Sequence, residues 1–88
     1  MLFLVSSDPY FTSNKDAAPA RKKFKSWIDD LKKQNKVINT YHKMGKGSVI
    51  FFDVASNDEL HELMTQWLNI VEIPVKFEII PLVPPNKI

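Results

Sequence analysis

GKGSVIFFDVASNDELHEL (residues 45–63) decides the fold of this chain. Gly45-Lys46-Gly47 supplies turn residues that tolerate positive φ, and residues 48–54 follow as a strand that is apolar on both faces. Phe51 and Phe52 are adjacent, so strand alternation sends them to opposite sides of a sheet. The strand gives way, without a glycine, to Ser56-Asn57-Asp58-Glu59. Ser56 with Glu59 three residues on is a capping box, and Asp58 and Glu59 suit the positive end of a helix dipole. Leu60, Leu63, Met64, Trp67 and Leu68 then mark the apolar stripe of a helix. One face of the strand can pack on helices. The other needs a cover: a ligand, a nucleic acid or another copy of the chain.

Working outward, residues 1–6 read as a strand apolar on both faces, with Met1, Phe3 and Val5 against Leu2 and Leu4. Asp8-Pro9 is expected to stop it, because proline removes a donor and biases its neighbour to extended geometry. Residues 8–16 then read as polar loop. Ala20, Phe24, Trp27, Ile28 and Leu31 fall on one helical stripe, predicting a helix from about residue 17 to 35. Residues 37–44 form a second strand, joined to the strand at 48–54 as a hairpin. Pro74 ends the second helix's connection, residues 75–83 form the last strand, and residues 84–88 are a tail. The order β-α-β-β-α-β is that of a ferredoxin-like α+β sandwich. One domain over residues 1–83 follows. Right-handed crossovers put the first and third strands in the centre of the sheet, with both helices on one face. Those two strands are the doubly apolar ones, and leaving their outer face wet forgoes several kcal/mol at about 25 cal/mol per Å². Sheet-to-sheet pairing into a dimeric α+β barrel, or a larger homo-oligomer, is the expected repair.

The totals bound the functions available. Eighty-eight residues make one domain, which buries roughly 60–65% of its unfolded surface. No cysteine is present, so disulfides, thiolate metal sites and cysteine nucleophiles are excluded. That absence fits a cytoplasmic location. The start MLFLV lacks the basic lead of a signal peptide, and no apolar run approaches the ~18 residues of a membrane span. The formal net charge of +2 hides an asymmetry. Residues 21–46 carry nine Lys/Arg against Asp29 and Asp30, a local +7, while the rest carries three basic and eight acidic residues, −5. Such a half can be a nucleic-acid footprint, but a Lys-rich helix more often shows a solvated face. RNA-recognition modules share this topology, and Lys46-Gly47 opens the third strand as their motif does. That motif then wants stacking aromatics where this chain has Ser48 and Ile50. The phenylalanines at 51 and 52 are out of phase with it, so nucleic acid is not the expected partner.

Two histidines are candidates for chemistry. His61-Glu62 begins a zincin-like pattern, but the second histidine would fall at Thr65, so no metal is expected. No glycine-rich phosphate loop or serine elbow exists, and no cofactor is expected. Tyr41 and His42, on the second strand, are the candidate general acids or bases, on opposite faces by alternation.

The start MLF-V, the run FDVASNDELH at residues 52–61 and Ile79-Ile80-Pro81-Leu82 resemble the muconolactone Δ-isomerase family. That resemblance implies an α+β barrel assembling from dimers into larger rings, and a cofactor-free proton shift in a small unsaturated lactone. It also implies a histidine in the first strand, where this chain has Leu4. A glutamate is implied in the first helix, where the matching position is Phe24. Two functions follow as expectations. One is a lactone-isomerase-like enzyme with a rebuilt pocket between the first helix and the sheet, served by Tyr41 or His42. The other is a non-catalytic ligand-binding or assembly module of the same barrel.

Overall fold

A computed structural model describes residues 1–10 and 14–87, the side chains of 14–17 and 87 excepted. Its elements are β1 (Leu2–Pro9), α1 (Asn14–Lys33), β2 (Val37–His42), β3 (Ser48–Asp53), α2 (Asn57–Val71), β4 (Val75–Leu82) and a 3-10 turn at Pro85–Lys87. The strands form one antiparallel sheet in the order β2-β3-β1-β4, so β1 and β3 are central. This is the ferredoxin-like α+β fold. No helix among the described residues is long and apolar enough to cross a membrane.

Of the boundaries that differ from the sequence expectation, three have a definite cause. β1 does not stop at Asp8 but continues to Pro9, pairing Asp8 with Lys76 and Pro9 with Val75. Pairing with β3 ends at Ser6–Val49, so Pro9 has a strand on one side only, where its missing N–H costs no ladder bond. α1 begins at Asn14, inside the span read as loop, and accommodates Pro19 in its N-terminal part. β2 ends at His42, two residues short of Met44, because Lys43 N–H already bonds Gly47 C=O at 3.0 Å to close the hairpin.

The helix ends follow from local chemistry. Asn35, at φ 61°, closes α1: its N–H bonds Lys32 C=O at 3.0 Å and Lys36 N–H bonds Leu31 C=O at 2.9 Å. That is the Schellman pattern, with asparagine at its left-handed position. At the start of α2, Ser56 Oγ accepts from Glu59 N–H at 3.1 Å. Glu59 Oε1 accepts from Ala55 N–H at 3.1 Å, one residue earlier than in the ideal capping box, and its carboxylate also pairs with Lys36 at 3.7 Å.

Alternation sorts the sheet. Phe3, Val5, Ile50 and Phe52 point to the helices, where Val5, Ile50 and Phe52 are fully buried. Trp67 centres the core, with ring centroids of Phe77, Phe24, Trp27 and Phe52 at 4.9, 5.1, 6.0 and 6.5 Å. The register puts Leu2, Leu4, Val49, Phe51, Ile80 and Leu82 on the opposite face, with Tyr41 at its β2 margin. Phe51 and Phe52 do point apart.

Candidate functional site

Where the β2–β3 hairpin meets β1, the sheet is held by side chains as well as backbone. Beyond Ser6 the β1–β3 ladder lapses, and the buried Ser7 hydroxyl continues it. Its Oγ accepts from Ser48 N–H at 2.9 Å and donates to Ser48 C=O at 3.3 Å. Gly47, at φ 90°, lies so close that a Cβ there would collide with Ser7 C=O. Lys43 folds across the same corner. Its Nζ donates to Ser7 C=O at 3.1 Å and Ser6 Oγ at 3.2 Å, with Asp8 Oδ1 at 3.9 Å.

Between this fixed corner and α1 lies a half-open cleft of about 880 Å³ over the inner face of the sheet. Its floor is apolar, with two aromatic rings among aliphatic side chains: Phe24 and Ile28 from α1, Trp67 and Val71 from α2, Pro9 from β1. Most of its polar lining comes from two sources. α1 contributes Arg21, Lys25, Asp29 and Lys32, and the hairpin contributes Thr40, His42, Lys43 and Lys46. Lys46 Nζ also stands 5.5 Å over the Tyr10 ring. A volume of this size suits a small organic molecule, since ligand pockets run from about 300 to 1,000 Å³ with apolar walls and few polar groups.

Of the two candidate acid/base residues, the cleft takes in His42 and leaves out Tyr41. His42 pairs with the inward-facing Ser48 and lines the cleft. Tyr41 points to the open sheet face, 56% exposed, edge-on to Phe51 at 6.2 Å. Among the described residues no carboxylate pairs with His42. The positions matched to the isomerase acid/base pair also separate. Phe24 packs on Trp67 in the cleft, while Leu4 lies on the outer face between Phe51 and Ile80. His61 is exposed on α2, beside a smaller groove lined by Met64, Leu68, Phe77 and Ile79. Among the described residues no three potential metal ligands converge.

The basic lining was not evident from the sequence as a site, where Lys25 and Lys32 read as part of a solvated helix face. The signal lay in their spacing: Arg21, Lys25, Ile28, Asp29 and Lys32 form a stripe beside the apolar one, with Ile28 shared.

Comparison with known proteins gives a family and a fold. A search of curated proteins finds no match. Among solved structures, muconolactone isomerase superposes with a TM-score of 0.70 at 19% identity, over 97% of this chain and 93% of that one. A transcriptional regulator superposes at 0.57 with 24% identity, over 93% of this chain and 50% of its own. The leucine response regulatory protein of Mycobacterium tuberculosis gives 0.57 and 24%, over 93% and 51%. This chain thus spans about half of those regulators. Identities this low carry the fold alone, so the likeness to muconolactone isomerases is one of architecture. The family profile described as "Domain of unknown function (DUF3303)" covers residues 1–88, and the chain belongs to that family.

Proposed function

We propose that the protein is a cytoplasmic small-molecule-binding module that works as a sheet-to-sheet homodimer, with its ligand held between α1 and the inner face of β2 and β3. The observation that carries the reading is the cleft itself: about 880 Å³, floored by Phe24, Ile28 and Trp67 and edged by polar side chains from two elements. The open face supports the dimer. Leu2, Leu4, Val49, Phe51, Ile80 and Leu82 form a continuous patch across three strands. Pairing two such faces would take the patch out of water, the main favourable term in association. The binding test is a saturation-transfer NMR screen of small aromatic acids, phenols and lactones against the wild type and Thr40→Trp, whose indole would fill the cleft. The reading expects hits that the variant loses. Hits indifferent to Thr40→Trp, or none at all, would overturn it.

A second reading, cofactor-free isomerisation, is favoured by the position of His42 in the cleft and by the whole-chain likeness to muconolactone isomerase. In it the imidazole takes a proton from a carbon beside a lactone carbonyl and returns it to a second carbon, leaving the composition unchanged. Following muconolactone or simpler butenolides by absorbance tests this directly. Turnover abolished by His42→Gln supports the enzyme; a rate equal to buffer alone leaves the binding module.

A further inference from the structure

The two edges of the sheet are not alike. β2 carries a bulge at Ile38, between the Val37–Phe52 and Asn39–Phe51 pairs, which spoils that edge as a template for another strand. β4 pairs with β1 without interruption from Val75 to Leu82, and its other side is open among the described residues. Tyr10 N–H bonds Pro74 C=O at 2.9 Å, one step beyond the Pro9–Val75 pair, and so fixes the phase of the ladder. Bonded and non-bonded pairs alternate in an antiparallel ladder, so Lys76, Glu78 and Ile80 turn their backbone groups to β1. Val75, Phe77 and Ile79 turn theirs to the open edge, and Pro81, next in that series, has no N–H to offer. Beside this edge lies the groove of about 410 Å³ lined by Met64, Leu68, Phe77 and Ile79, with Leu68 and Ile79 41% and 44% exposed. Lys76 and Glu78 are exposed on the other face, and neither has an ion-pair partner among the described residues.

We infer that β4 pairs antiparallel with β4 of a second copy of this chain, about a two-fold axis through Phe77. The joint is separate from the outer sheet face and from the cleft, and depends on neither. It sets Phe77 against Phe77, Val75 against Ile79 and Lys76 against Glu78. Each open-edge N–H from Val75 to Ile79 then meets a C=O. The two Lys76–Glu78 pairs fall at non-bonded positions, where side chains across antiparallel strands come closest. Neighbouring registers lack this match. An axis through Lys76 or Glu78 opposes like charges at its centre, and one through Ile79 sets Pro81 opposite Phe77, where a donor is required. A contact this small is weak, with a dissociation constant of about 0.1–1 mM, so at micromolar concentration it is not populated.

Sedimentation equilibrium of the wild type from about 10 µM to about 1 mM should show the mean mass climb above its micromolar value. Lys76→Glu and Glu78→Lys each make both charge pairs repulsive and should weaken the association about tenfold, whereas Lys76→Glu/Glu78→Lys restores opposite charges and should bring it back. Ile79→Pro removes an open-edge donor, keeps every bond to β1 and should abolish the association; circular dichroism checks that each variant is folded. A wild-type mass constant to about 1 mM would overturn self-pairing and leave the edge to a strand of another protein. A double reversal as weak as either single one would overturn the register, and growth indifferent to Ile79→Pro would place the contact elsewhere.

Discussion

Replacing Gly47 by alanine tests whether the corner of the cleft is built as described, and Gly45→Ala is its internal control. Both glycines have positive φ, 93° at Gly45 and 90° at Gly47, so an alanine at either is strained by about 1–2 kcal/mol. Each change also removes a similar amount of unfolded-chain entropy, about 0.4–1 kcal/mol, which cancels in the comparison. The sites differ in their surroundings. Nothing lies within 4 Å of a Cβ at Gly45, whereas at Gly47 it meets Ser7 C=O, with Pro9 Cδ at 3.3 Å. Neither obstacle is a flexible side-chain end, so the hairpin must move off β1. That movement breaks the two Ser7–Ser48 bonds and exposes or orphans a buried Ser48 N–H, at about 1–3 kcal/mol. Gly47→Ala should therefore destabilise by roughly 2–4 kcal/mol, against ~1 for Gly45→Ala. In a domain of this size each kcal/mol lowers Tm by about 4–8 °C. Urea unfolding followed by tryptophan fluorescence, with thermal melts alongside, measures both. Two variants within about 0.5 kcal/mol of each other would refute the close packing of the hairpin on β1.

Other consequences can be checked with the same material. Ser7→Ala leaves Ser48 N–H without its acceptor and should cost about 1–3 kcal/mol in chemical denaturation. Ser56→Ala removes the acceptor at the start of α2 and should cost about 1 kcal/mol, with Ser56→Thr close to wild type. Phe51→Glu puts a charge in the centre of the open sheet face, so sedimentation should show a wild-type dimer become a folded monomer; a monomeric wild type at micromolar concentration would sink the paired-sheet argument. Trp27→Phe loses the 2.9 Å bond from Nε1 to Gln66 at the exposed edge of the helix pair, and should shift stability by about 1 kcal/mol, far less than Trp67→Ala at about 3–5 kcal/mol.

Much of the fold was legible because its determinants are local or periodic. Alternation alone separated Phe51 from Phe52, and the doubly apolar β1 and β3 located themselves at the centre of the sheet. The Ser56–Glu59 pair placed the start of α2. The misplaced boundaries lie where tertiary context overrode a local rule. Pro9 extends β1 because β3 has already left its side, which no neighbouring residue announces. The site was less legible because its parts come together only in space. Ser7 meets Ser48 across 41 positions, and Lys25 and Lys32 share a cleft with Lys43 and Lys46 only after α1 docks. Sequence alternation did divide Tyr41 from His42, but it could not say which of the two faced a cleft.

The geometry also explains why the most recognisable residues point to architecture and not to chemistry. Phe52, Ser56, Glu59 and Leu60 lie at the end of β3 and the start of α2, where Phe52 and Leu60 enter the core and Ser56 and Glu59 cap the helix. The cleft lies at the opposite end of the strand, at Ser48, about 17 Å away for a six-residue strand. Trp67 and Val71 reach it from the C-terminal half of α2, past the recognisable run. Substitutions at Phe24, Lys25, His42 or Lys46 can therefore rebuild the cleft without disturbing the capped strand–helix junction, which is set by contacts at the other end. A chain can keep that junction, and with it the fold shared with muconolactone isomerase, while apolar Leu4 and Phe24 stand where that resemblance placed a proton carrier. The separation means that the run FDVASNDELH reports on the fold and leaves the lining of the cleft free to vary.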